Sequence, residues 1–365
     1  MLSLFRRQAP TPEITFKTRV EKFWDWYSEQ SSRLFEVVDR GQSPSLGQEV
    51  SAKVDDLLPG FAWVFGPGEG GIGHSFTLSG EGVLHRQLLA IYCVSRAPKL
   101  QGWSFYASRQ PGSIDGIQLD IGGRKFDPLE VWITPHVDHE SRKVDLTVWH
   151  PLMSQMDPNQ RLGPVFLFLD EVLGEFGTGQ WIGEINLDDK RLAEAIPLKE
   201  LLSFVKKVEA DTGWKKLAPG EEATLYRSKQ PHDRFLRGDV IVGNTMHPQL
   251  IGEYLRAEGL LEDPLRGTGA DYVFVSFDAK IMPAGKQVDA RAKIEDALDG
   301  ALKSARSGRL LGGALGVRFA YIDLLLYDGS TSLEIVRDVL TTQGLPTGTA
   351  INFFSKEKIR NRIVL

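Results

Sequence analysis

Leu310-Leu311-Gly312-Gly313-Ala314-Leu315-Gly316-Val317-Arg318-Phe319-Ala320-Tyr321-Ile322-Asp323-Leu324-Leu325-Leu326-Tyr327 is the stretch on which the fold of this 365-residue chain turns. Residues 319–327 are apolar at odd and even positions alike around the single carboxylate Asp323, the pattern of a strand covered on both faces. The glycines of 310–317 suit a second strand in which another backbone approaches closely. Working outward, residues 272–277 read as a buried strand. Ile294, Leu298, Ala301 and Leu302 line one side of a helix over 290–305. Downstream, Ser330 or Thr331 caps a helix, Thr331 and Glu334 having capping-box spacing, with Leu333, Val336, Val339 and Leu340 as its apolar face. Residues 350–354 close the pattern as a strand. With 310–317 as a strand the order is βαββαβ, the ferredoxin-like arrangement.

The preceding residues mix helices and strands without strict alternation. Phe16, Val20, Phe23, Tyr27, Leu34 and Val38 fall at helical spacing over 16–40, and Pro44 opens a shorter helix ending before Pro59-Gly60. Residues 61–65 and 75–79 form a hairpin, 84–95 a helix, and 103–108 a strand. Strands follow at 129–134 and 144–149, then a helix from Pro164 to Glu175, a strand at 181–187 and a helix at 198–209. Residues 211–238 are rich in Lys, Pro, Gly and Glu and read as a linker. The expected organisation is therefore an α+β protein of two domains with antiparallel or mixed sheets. A helical segment 1–60 packs on an α+β domain 61–210, and a second α+β domain covers 239–365.

Composition narrows the function classes. Forty-three Lys and Arg against 48 Asp and Glu give a net charge of −5, the wrong overall sign for a general binder of nucleic acid or anionic membrane. Cys93 is the only cysteine, so no intrachain disulfide forms, and a reducing, cytoplasmic setting is expected. The start, Met1-Leu2-Ser3-Leu4-Phe5-Arg6-Arg7, lacks the apolar core of a signal peptide. No run approaches the roughly 20 apolar residues of a membrane span.

Motifs that could carry chemistry fail on context. Gly68-Glu69-Gly70-Gly71-Ile72-Gly73 spells G-x-G-x-x-G, but a strand follows where a phosphate-binding helix should begin, so it reads as a hairpin loop. Gly308–Gly316 lacks the Gly-Lys-Ser/Thr of a phosphate loop. His136, His139 and Glu140 are the one ligand-like grouping, and His150 falls about 20 Å away if the strands between form a regular hairpin. No metal or other cofactor is expected. Ser203-Phe204-Val205-Lys206 is an S-x-x-K string without its companion motifs. His232-Asp233 has acid–base adjacency but no nucleophile, and Arg237-Gly238-Asp239 spells an adhesion tripeptide. Cys93, near only Arg96, reads as core.

Three binding candidates remain, Trp103, Arg109 and Arg318, beside one catalytic candidate, Asp323. Trp103 and Arg109 fall on one face of a strand by alternation, where they could stack a ligand or partner side chain. Asp323, if buried, needs donors or a cation, with Arg318 or the backbone near Gly312-Gly313 as nearby sources. It is the candidate for a catalytic carboxylate.

Trp24-Asp25-Trp26, Arg96-Ala97-Pro98-Lys99-Leu100-Gln101-Gly102-Trp103, Gly312-Gly313-Ala314-Leu315-Gly316 and Ala320-Tyr321-Ile322-Asp323-Leu324 give the chain a pattern that resembles the family called domain of unknown function 695. The resemblance covers much of residues 16–190 and extends to the C-terminal part. It implies a bacterial, soluble α+β protein and brings no catalytic residue. The expectation is a cytoplasmic, non-catalytic binding or regulatory protein, immunity-like in character, that recognises another protein and neither nucleic acid nor membrane. The competing reading is a hydrolase with a site centred on Asp323 or a metal held by His136, His139 and Glu140.

Overall fold

The computed structural model describes residues 14–121, 124–256 and 258–365, so the first seven residues, read above for a leader, lie outside it. The chain divides into two compact units. One comprises Gln30–Ser51 and Gly60–Glu222. The other comprises the described residues up to Glu29, Ala52–Pro59 and Ala223–Leu365. Helices α1 (Phe16–Asp39) and α2 (Gly47–Leu57) contribute to both, so the segment 1–60 does not belong to the first domain alone. In α1 the stripe Phe16, Val20, Phe23, Tyr27 and Leu34 is fully buried, as its spacing requires.

In the first unit, β1 (Ala62–Pro67) and β2 (His74–Ser79) form the antiparallel hairpin, and α3 (Leu84–Val94) carries the chain over to β3 (Trp103–Tyr106), which lies parallel to β2. A small ribbon, β4 (Leu119–Ile121) and β5 (Arg124–Phe126), precedes β6 (Trp132–Asp138) and β7 (Lys143–Trp149). The strand expected from residue 129 starts only at Trp132, because Pro128 and the Asp127 side chain, which accepts from the Leu129 N–H, hold residues 128–130 in a turn. Helix α4 (Leu162–Leu173) stops at Gly174, whose φ of +75° breaks the ladder, and a separate α5 (Glu175–Trp181) follows. Next come β8 (Ile182–Leu187), the two-residue β9 (Ile196–Pro197) and α6 (Leu201–Thr212), and the second sheet runs β8-β7-β6-β9. Alternation puts Val144, Leu146 and Val148 of β7 inward, against Phe168 and Leu169 of α4 and Leu201 and Val205 of α6.

The second unit is built on one seven-stranded sheet. Its elements are β10 (Thr224–Arg227), β11 (Val240–Thr245), α7 (Ile251–Arg256), β12 (Asp271–Asp278) and α8 (Gln287–Ser304). They continue as β13 (Gly308–Gly316), β14 (Phe319–Leu326), α9 (Gly329–Thr342), β15 (Ala350–Phe353) and β16 (Ile363–Val364). The order is β10-β11-β13-β14-β12-β15-β16, antiparallel throughout. Its centre, β13-β14-β12-β15, is the βαββαβ arrangement, with β10 and β11 added at one edge and β16 at the other. Residues 211–238 are accordingly not one plain linker, since α6 enters the stretch and β10 lies within it.

Even-numbered Ala320, Ile322, Leu324 and Leu326 of β14 pack with Ile294, Leu298 and Leu302 of α8 and with Val336 and Leu340 of α9. Alternation therefore sends Tyr321 and Asp323 to the opposite face. The N-cap of α9 is Asp328, whose N–H donates to Ser332 Oγ (3.0 Å), so Ser330 and Thr331 lie inside the first turn and do not cap it. Gly312 has φ of +139° at a bulge, and a Cβ there would fall on the carbonyl oxygen of Asn244 in β11. Gly312→Ala should therefore cost on the order of 1–3 kcal/mol in urea denaturation. A variant as stable as the parent would show that the close approach of β11 does not require glycine.

Candidate functional site

Asp323 is fully buried, and the cation that meets it is Arg237. Arg237 Nη1 donates to Oδ1 at 2.5 Å and Nη2 to Oδ2 at 3.2 Å, while Nη2 also reaches the Tyr226 hydroxyl at 3.1 Å. Rings of Tyr254, Phe274, Tyr321 and Phe354 stand 4.7–5.1 Å from the guanidinium carbon. Burial opposes the charge of Arg237, but Asp323 and Tyr226 outweigh it, so its pKa is raised. Burial likewise pushes the Tyr226 hydroxyl up to about 12.

Neither donor named from sequence serves Asp323. The Arg318 side chain lies over the Phe319 ring at 5.5 Å, and the Gly313 N–H donates to Asn244 Oδ1 at 3.0 Å. The Arg237-Gly238-Asp239 string is instead built into the core. Asp239 accepts from the N–H groups of Arg318 (2.8 Å) and Phe319 (3.0 Å) and from the Tyr321 hydroxyl (2.5 Å), which in turn accepts from the Arg237 N–H (3.0 Å). A Cβ on Gly238 would run into the His232 ring. His232 packs on Phe235, while Asp233 is exposed. A carboxylate with both oxygens held by one guanidinium inside an aromatic shell is structural, and it is not available as a base. A cavity of about 150 Å³ adjoins the shell, lined by Phe235, Phe274, Asn352, Phe354 and Ile359 among others.

The histidines are dispersed. His136 pairs with Asp145 on the β6–β7 hairpin and His139 stands in its turn near Trp214, both exposed like Glu140. His150 lies past the far end of β7, buried against Phe126. Among the described residues no group of three or more His, Cys, Asp or Glu is placed to hold a metal ion. None of their helices is long and apolar enough to cross a membrane.

Trp103 and Arg109 do not share a strand face, because β3 ends at Tyr106. Trp103 is buried, with its indole N–H on the Ser31 carbonyl (3.2 Å) and its ring near Phe35. Arg109 lies beyond the strand, bonded to Glu81 and 3.9 Å from Asp170.

There Arg109 borders a cleft of about 450 Å³. The walls are Phe65 of β1, Tyr106 of β3, Ile117 in the following loop, and Leu167 and Phe168 of α4. Ser75, Thr77, Gln110 and Glu171 add polar groups. The Gly112 N–H donates to the Glu171 carbonyl (2.7 Å) and the Glu175 N–H to the Arg109 carbonyl (3.0 Å), which tie the 109–112 loop to α4 and α5. Burial raises the pKa of both Asp170 and Glu171, with Arg109 opposing it in each case. This combination of apolar walls and few converging polar groups is that of a small-molecule site. Sequence reasoning found Arg109 but missed the rest. The readable signal was α4 itself, where Leu162, Phe166 and Leu167 remain exposed because the helix carries more apolar residues than one buried face needs. Comparison with family models, with curated proteins and with solved structures finds no match to this chain.

Proposed function

We propose that the protein is a non-catalytic binding protein and that the cleft between β1, β3 and α4 is its site for a small amphipathic molecule. The observation that carries this reading is the cleft: about 450 Å³, mostly apolar, with Arg109, Gln110 and Glu171 at fixed places. Binding is favoured over turnover because Arg109 is already engaged by Glu81 and Asp170, and because Asp323, the carboxylate on which hydrolysis would centre, is bound at both oxygens. The test is a fragment screen by thermal shift and NMR. A fragment at one hundred times its Kd should stabilise the protein by about 2.7 kcal/mol. Its resonance shifts should fall on Phe65, Tyr106 and Leu167, and Leu167→Arg should abolish them. Hits that leave these residues unmoved, or a screen without hits, would overturn the reading.

A further inference from the structure

The cleft has room for a ligand, and its charges say which kind. Among the described residues Arg109 is the only cation that lines the cleft. Its guanidinium is committed to Glu81 on one side and stands 3.9 Å from Asp170 on the other. Glu175, next in the neighbourhood, is satisfied internally: it accepts from Ser79 Oγ (2.8 Å), the Gly82 N–H (3.1 Å) and Gln87 Nε2 (3.1 Å). Glu171 differs from these. It lines the cleft, lies against Gly112, where the missing Cβ leaves room, and its carboxylate makes no hydrogen bond or ion pair within reach among the described residues. The rings of Phe65, Tyr106 and Phe168 line the same cleft.

We propose that the ligand of this cleft is a primary amine on an aromatic or apolar body, its ammonium donating to Glu171 and its body lying among Phe65, Tyr106 and Phe168. The proposal rests on the cleft being the binding site. An ammonium gives a half-buried carboxylate the hydrogen-bonded partner that the Arg109 charge, acting from a distance, does not supply, and ring faces attract the same charge. An anion would enter a neighbourhood in which Arg109 is already taken and Glu81, Asp170, Glu171 and Glu175 repel it.

Isothermal titration of the full chain with three probes of nearly one shape tests it: phenethylamine, 2-phenylethanol and phenylacetate. Phenethylamine should bind about tenfold more tightly than 2-phenylethanol, and phenylacetate more weakly than either. Glu171→Gln, nearly isosteric and on a half-buried helix position, should bring the amine and the alcohol within about twofold of each other. If the alcohol matches the amine on the parent protein, or phenylacetate binds best, the amine assignment is wrong while the cleft stands as a binding site. If no probe binds and the fragment screen also fails, the cleft reading itself falls, and this proposal with it.

Discussion

Arg237→Ala should destabilise the second unit by about 3–5 kcal/mol, because it leaves the Asp323 carboxylate buried at the centre of the sheet without its counter-charge. For a unit of this size the loss corresponds to a fall in melting temperature on the order of 10 °C. Hydrogen exchange across β12 and β14 assigns the effect to this unit, since β14 carries Asp323 and β12 pairs with it at Phe274. Asp323→Ala should cost a similar amount by stranding the guanidinium among aromatic rings. The double variant Arg237→Met, Asp323→Leu separates pairing from mere burial. It removes both charges and keeps apolar volume, so it should be much more stable than either single variant. Additive losses in the double variant would show that the two side chains do not act as a pair. Parent-like melting of Arg237→Ala would place Asp323 in contact with water, and the case against a catalytic carboxylate would collapse.

The same pair shows where sequence reading stops. Asp323 was legible as a buried carboxylate because residues 319–327 are apolar in both registers, and a strand of that kind leaves its one charge no solvated side. The identity of its partner was not. Arg237 is 86 residues away in the chain and ends a stretch with no periodicity, while Arg318 is five residues away and exposed. A buried charge demands a counter-charge, but alternation along one strand does not say which loop covers that face. Arg237 also adopts φ of +77°, a conformation that bulky residues rarely take and that no local sequence rule signals. The βαββαβ core was legible for the opposite reason: each of its elements has a strong period of its own, and the connections are short. In the first unit, β4, β5 and β9 are two or three residues long, too short for a period to register. The cleft draws its lining from β1, β2, β3, the 109–119 stretch and α4, so no single segment announces it.

Acid should weaken the first unit through His150. Its side chain is fully buried, its ring stacks on Phe126 with centroids 3.7 Å apart, and Nδ1 accepts from the Leu152 N–H at 3.1 Å, which requires a neutral ring at that nitrogen. Burial depresses the pKa to about 4, and Asp127 opposes the shift without cancelling it. Glu130 stands 3.7 Å from Nε2, but that carboxylate is mostly exposed and its attraction is screened by water. The unfolded chain, with an ordinary imidazole pKa of about 6.5, therefore binds the proton that the folded chain refuses. Stability from this group is fully present above about pH 6.5, is lost as pH falls toward 4, and changes no further below that. The whole loss is about 3 kcal/mol, up to about 1.4 kcal/mol per pH unit within the window. Urea denaturation of the parent and of His150→Gln across pH 4–7 measures it, because other titrating groups contribute alike to both proteins and drop out of the difference. His150→Gln should be less stable than the parent at pH 7 and close the gap as the pH falls. Parallel curves over that range would mean that the folded and unfolded chains take up this proton alike, so that Glu130 and Asp127 offset the effect of burial on the ring.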